Sequence, residues 1–398
     1  MRVNRAASAR RRILLGLGGL PLLCLGLAGA SAVSNLFLPT RSTLVDRLSE
    51  LEKARVAEAR HLLQPLGDSV WPGWGEQAIP MIVYNEQYAF LVGYADPPAG
   101  WLKVPADERR GGPWEPVPGD RFQGQVYYRQ LLPDPAVTPE AFTVLVGGRW
   151  VASLPTKEFM EIGFYAGFRE EMPAPLRAFV PYRLIWGFLG GETDAYLAGL
   201  AHEAFHAFQG RVAEDRLRAA EWANGPGRDY PWDDPDLARA WQEELDWLVR
   251  AAQSDSDAEA LELASRFLDR REARRADAAL SAALIDYERQ REWLEGLAKY
   301  AELALTRAAG ATEGYAPLAE LAADPAFKHY RTRDRFFSQQ LDEARRLAGR
   351  EGETRFYYAG FAQALLLDRL RPGWKEQVFS TGSMIEDLLR EAVRSSGQ

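Results

Sequence analysis

Five consecutive residues, His202-Glu203-Ala204-Phe205-His206, concentrate the chemistry of this sequence. Two imidazoles four positions apart lie one above the other on a helix face and can grip one tetrahedral ion. Glu203 falls about 100° around the axis from His202, beside such an ion, where a base for an activated water belongs. Zinc there lowers the pKa of a bound water from 15.7 toward about 7. The carboxylate can take the water's proton and hand it to a leaving amine. The bland alternative is two histidines on a polar helix face beside a surface glutamate. The chain has only four histidines, so this spacing arises by chance on the order of a few times in a thousand. Tyr196, Leu197, Leu200, Ala201 and Phe205 give the segment the apolar body of a helix.

One Zn2+ ion needs a third protein ligand. His61, in the first helix, and His329, beside Lys328 and Arg331, read as surface residues. The run Glu292-Trp293-Leu294-Glu295-Gly296-Leu297-Ala298-Lys299-Tyr300-Ala301-Glu302 offers carboxylates instead. Glu295 lies in an apolar stretch, where an unpaired carboxylate is costly. Gly296 removes a side chain where two helices need to approach. Glu302, two turns on and on the same face, can orient a ligating histidine. Glu288 and Glu292 are alternative ligands, but Arg289, Gln290 and Arg291 around them read as solvated surface.

H-E-x-x-H followed by a glutamate on a later helix resembles the gluzincins, the thermolysin-like and aminopeptidase N-like zinc metallopeptidases. The second motif of the aminopeptidase branch, W-L-N-E-G-F-A-x-Y-x-E, is similar to Trp293 through Glu302 without the Asn. The resemblance implies His202, His206 and Glu295 as metal ligands and Glu203 as general base. It also implies an oxyanion-stabilising tyrosine three residues before a glycine. Tyr357-Tyr358-Ala359-Gly360 supplies Tyr357, with Tyr358 as the fallback. His206 and Glu295 stand 89 positions apart, which an inserted helical hairpin at about 211–286 explains. The Gly-x-Met-Glu-Asn segment that holds a free amino terminus in those aminopeptidases is absent.

The elements that position these residues emerge from periodicity and punctuation. Thr193, after Gly190-Gly191, is placed to cap the His202 helix, with Gly210 as its C′ glycine. Thr43 to Leu66 reads as an amphipathic helix, and 235–253 and 257–307 as long charged helices turning at Ser254-Asp255-Ser256, the second either continuous or broken along its length. Shorter helices come next, near 334–347, 354–370 and 385–393. Segments 79–84, 88–94, 123–129 and 142–153 read as strands, and 157–171 as a helix. The expectation is an α+β protein with a β-rich N-terminal module at 33–191 and a mostly α-helical, gluzincin-like catalytic domain at 192–398.

Residues 1–32 have a different character. Arg2, Arg5, Arg10, Arg11 and Arg12 precede an apolar run from Ile13 to Ala30 and a small-residue stretch, the order of a signal peptide or an N-terminal membrane anchor. Either predicts a body outside the cytoplasm, periplasmic, secreted or membrane-attached. Cys24, the only cysteine, lies in this leader, so the body has no disulfide and no thiol chemistry. Without the five arginines, 43 of the 48 basic residues face 56 acidic ones, a net of −13, which disfavours nucleic acid. The sequence thus predicts a zinc hydrolase acting on peptides or proteins. A hydrolase of a non-peptide amide and a non-catalytic envelope binding protein on the same scaffold are the alternatives.

Overall fold

The computed structural model describes residues 26–105, 108–132, 142–347, 352–380 and 382–395. Most of the expected leader therefore lies outside the described residues. Two compact units emerge. The sequence predicts a division of the body at residue 191. The compact units instead join 1–43 with 156–192, and 44–155 with 193–398.

The smaller unit holds α1 (residues 26–35), α3 (Lys157–Glu171) and α4 (Tyr182–Leu189). Thr156 caps α3 by accepting from the Phe159 amide at 3.3 Å. Leu38, Tyr165 and Tyr182 form its core, with Phe164, Phe168, Val180 and Trp186 packed against them.

The larger unit opens with α2 (Glu50–Val70). It starts later than expected because Ser49 is the cap, its hydroxyl accepting from the Glu52 amide at 3.2 Å. It runs past Gly67, whose missing side chain lets Gly75 approach; a Cβ there would lie 2.7 Å from the Gly75 nitrogen.

An eight-stranded sheet comes next, in the order β4-β3-β7-β8-β1-β2-β6-β5. The strands are β1 (Met81–Tyr84), β2 (Tyr88–Val92), β3 (Trp101–Lys103), β4 (Glu108–Arg110), β5 (Glu115–Pro116), β6 (Tyr128–Leu131), β7 (Phe142–Val146) and β8 (Arg149–Pro155). β1 pairs with β8 in parallel and every other pairing is antiparallel. The expected strand at 142–153 is a hairpin, because Gly147 and Gly148 both take positive φ (54° and 77°) and turn the chain in two residues. The expected strand at 123–129 begins later, since Gln123 and Gly124 also take positive φ.

Helix α5 (Thr193–Val212) lies on β7 and β8 and runs antiparallel to β8. A Cβ at Gly199 would touch Leu154 at 3.4 Å, and one at Gly210 would enter the Trp150 ring at 2.4 Å. Gly210 is therefore no C′ residue; it lies inside the helix, where only glycine clears the tryptophan. On its core side, Phe205 meets Trp71 and Trp74 edge-on, with ring centroids 5.0 and 5.1 Å away.

The remaining helices are α6 (Glu214–Trp222), α7 (Pro235–Gln253), α8 (Asp257–Asp277), α9 (Ala282–Arg291), α10 (Leu297–Ala311), α11 (Arg333–Leu347), α12 (Thr354–Leu370), α13 (Trp374–Ser380) and α14 (Ile385–Ser395). α7 and α8 pack as a hairpin. Of the two forms left open for 257–307 the broken one holds: the helix ends at Asp277, and Ser281 caps the next. α9 and α10 form one continuous helix through a π turn, Glu292–Gly296. Across this turn lies α12: a Cβ on Gly296 would sit 2.5 Å from the Gly360 Cα, and one on Gly360 would sit 2.5 Å from the Glu292 carbonyl oxygen. Gly296 serves the close helix approach the sequence suggested. No helix among the described residues is long and apolar enough to cross a membrane.

Candidate metal centre

Helix α5 presents His202 and His206 to the π turn, which presents Glu295. His202 Nε2 lies 3.1 Å from His206 Nε2 and 3.2 Å from Glu295 Oε2, and His206 Nε2 lies 3.3 Å from Glu295 Oε2. Among the described residues, these three form the one His/Cys/Asp/Glu group close enough to share a metal ion. Two ligand atoms of a tetrahedral zinc, each about 2.05 Å from the ion, stand roughly 3.3 Å apart. The triangle thus has the size of one face of that tetrahedron, and its donors, two imidazoles and a carboxylate, are zinc donors. These residues fit the group.

The outer atoms of the ligands are held as well. His202 Nδ1 pairs with Glu302 Oε2 at 3.0 Å, the orienting contact expected of Glu302, while Lys299 donates to the other Glu302 oxygen. His206 Nδ1 pairs with Gln209 Oε1 at 2.7 Å. The Gln209 amide nitrogen donates to the carbonyls of Trp293 and Leu294, at 3.1 and 3.3 Å, so its oxygen must be the atom facing His206. His206 therefore carries its proton on Nδ1 and turns the Nε2 lone pair inward. Arg291 donates to Glu295 Oε1 at 2.7 Å and to Glu353 at 2.8 Å, leaving Oε2 for the shared point.

These contacts set the electrostatics. Burial raises the Glu295 carboxyl, but His206 and Arg291 outweigh it and hold it well below its usual range. Burial lowers His202, yet the hydrogen bonds to Glu295 and Glu302 push it up to about 10. A cation at the triangle competes with that proton for the Nε2 lone pair.

Glu203 is not one of the three converging residues but interacts electrostatically with all of them. Its Oε2 is buried and has no hydrogen-bond partner among the described residues. Burial above all, aided by Glu295 and Glu302 and opposed by both histidines, raises its carboxyl to about 6. A buried carboxylate with one oxygen unpartnered, poised near neutrality, suits a general base.

Tyr357 stacks on the His202 ring, centroids 5.9 Å apart and planes 10° from parallel, and its hydroxyl bonds Glu295. Burial first and the Glu295 charge second raise its pKa. Tyr358 points elsewhere, toward Gln340 Oε1 at 3.2 Å. Nearby, Glu221 on α6 is raised to about 7, mainly by burial, and accepts from Asn224 at 3.2 Å.

Two expectations fail. Glu288 and Glu292 are not solvated: both are fully buried in a cluster with Arg271, Arg274, Arg275, Glu244 and Glu386. Their polar sequence neighbours suggested surface, but the arginines that pair them come from α8. Neither reaches the histidines. His61 is half-buried, its Nε2 3.1 Å from the Ala316 oxygen, while His329 is exposed as expected. Gln209, Arg291, Lys299 and Glu353 were not expected at the site. Helical spacing carried a signal for three of them: Gln209 three after His206, Arg291 four before Glu295, and Lys299 three before Glu302.

Compared with known proteins, the chain matches no family model, no curated protein and no solved structure.

Proposed function

We propose that this chain is a zinc-dependent hydrolase of peptide bonds with a gluzincin-like centre, held by His202, His206 and Glu295. The observation that carries the reading is the orphaned Glu203 Oε2 beside a ligand triangle of zinc dimensions. A binding protein needs no such base, and burying a carboxylate oxygen without a partner is costly. Zinc at the triangle would supply a Lewis acid and a water of lowered pKa. Glu203 would accept the water's proton as the new carbon–oxygen bond forms, then deliver it to the amine nitrogen as the carbon–nitrogen bond breaks. Glu302 and Gln209 keep the imidazoles in register, and Arg291 fixes the Glu295 carboxylate. The Tyr357 hydroxyl is the candidate donor to the substrate's carbonyl oxygen. The arginine-then-apolar order of residues 1–32 supports an activity outside the cytoplasm, on exported peptide or protein substrates.

The test is to purify the protein, measure its metal by elemental analysis and screen it against a peptide library with and without a zinc chelator. We expect about one zinc per chain, cleavage that the chelator abolishes, and recovery when zinc returns. Chelator-resistant cleavage, or zinc bound with no turnover of any peptide, would overturn the peptidase reading.

A further inference from the structure

Fourteen large hydrophobic side chains stand exposed among the described residues, and nine of them belong to the smaller unit. The concentration is sharpest on α4. Its inner face packs Tyr182 and Trp186 against Phe164 and Phe168. Its outer face carries Leu184 and Phe188 one turn apart, with Leu189 beside them, exposed by 67%, 92% and 69%. Leu36 and Phe37, just after α1, are equally bare at 79% and 72%. Their segment is tied to the α4 region by polar contacts. Arg183 Nη2 donates to the Phe37 oxygen at 2.6 Å, and Asn35 Nδ2 to the carbonyls of Ala178 and Val180 at 2.9 Å. These hydrogen bonds hold the two apolar edges of the unit together.

Three features point to what covers this surface. No acidic residue occurs between Met172 and Gly191, while Arg177 and Arg183 are exposed there. Exposed Phe and Leu beside arginine are side chains of helices that lie in a bilayer interface. The apolar run Ile13–Ala30, with its preceding arginines, extends into the first half of α1, so the patch sits next in the chain to a segment suited to lipid.

We propose that this face docks on an anionic lipid bilayer, with Leu36, Phe37, Leu184 and Phe188 entering the acyl-chain boundary and Arg177 and Arg183 meeting lipid phosphates. The eight residues of α4 span about 12 Å, against roughly 30 Å of hydrocarbon. The helix therefore lies in the membrane plane and does not cross it. Together with the leader run it provides the second of the two attachments that lasting membrane residence requires. The proposal does not depend on the hydrolase reading.

The test uses the full chain with Cys24→Ser and one new cysteine, from Leu184→Cys, Phe188→Cys or Leu131→Cys, carrying an environment-sensitive fluorophore. Leu131, exposed on β6 of the larger unit, is the control. The protein is mixed with vesicles of phosphatidylcholine and phosphatidylglycerol containing nitroxide-labelled lipid. We expect lipid quenching at positions 184 and 188 at least about threefold stronger than at 131, and weaker quenching when phosphatidylglycerol is omitted. Equal quenching at all three positions overturns the proposal. So does shielding of 184 and 188 from aqueous iodide without vesicles, which would mean that another copy or another protein surface covers the patch.

Discussion

Exchanging Glu203 for glutamine replaces one oxygen and leaves the ligand triangle untouched. Glu203→Gln should keep its zinc and lose turnover by at least about a hundredfold, measured as kcat beside metal content. Wild-type turnover would remove Glu203 from the mechanism. Glu295→Ala should lose zinc outright, whereas Glu302→Ala should weaken affinity by about 10–100-fold, because it only frees the His202 ring to turn. Competition with a chromogenic chelator separates the two, and equal losses would contradict the division of labour. Tyr357→Phe should lower kcat more than it raises KM, while Tyr358→Phe should do neither. At this scale the sequence was legible where partners are helical neighbours. His202, Glu203 and His206 share one turn, and Glu295 betrayed itself as a charge in an apolar run. Glu288 and Glu292 were not legible because their partners, Arg271, Arg274 and Arg275, are neighbours in space and not in the local sequence.

The contact between α12 and the π turn sets where Tyr357 stands relative to His202. Gly360→Ala would place a Cβ 2.5 Å from the Glu292 carbonyl oxygen, and backbone cannot yield as a side-chain tip can. We expect a loss of about 1–3 kcal/mol in urea unfolding and weaker zinc binding, since Glu295 belongs to the same turn. An alanine at Gly360 with unchanged zinc affinity would show that the turn is not held by this crossing. Helices were the more legible elements: the starts expected at 157, 235 and 257 follow the caps Thr156, Asp234 and Ser256, whereas Ser49 and Ser281 cap helices whose starts the periodicity did not mark. β3, β4 and β5 were not: they have three, three and two residues, too few for alternation to register, and β4 reads Glu-Arg-Arg. The π turn left no mark in composition, because α and π windings use the same residues.

Across the larger unit, the buried arginines of α8 join α7, α9, the π turn and α14. Arg271 alone meets Glu244, Glu292 and Glu386, all fully or nearly buried. Arg271→Met should cost about 3–5 kcal/mol, because it strands charges that water cannot reach. The acid limb of stability should reflect the same cluster. Burial opposes ionisation of Glu288, but Arg274 and Arg275 pull it from 4.5 down to about 2. A depressed carboxyl adds stability that is complete above its unfolded pKa and lost as pH falls through its folded one. Glu386 shifts the same way, driven by Arg271 and Arg275 against burial, while Glu292 is raised by burial and acts in the opposite sense. The net expectation is a urea midpoint that falls steeply between about pH 4.5 and about 2. A flat midpoint over that interval would contradict it. The sequence suggested an inserted hairpin at 211–286 but not that its charges fasten it to the helix that carries Glu295.

The π turn has one further consequence, which is a matter of phase. In an unbroken α-helix, at about 100° per residue, Glu288, Glu292, Glu295 and Glu302 would all fall within an arc of about 80°. They would compete for one set of partners. A π turn takes up one extra residue and carries the downstream residues around the axis by up to about 100°. The stripe is thereby divided: the first pair turns to the arginines and the second to the histidines. Deleting Leu294 should close the turn and return all four carboxylates to one side. The shortened chain should then lose both its zinc and the cohesion of its charge cluster, a double failure that no single glutamate substitution would produce.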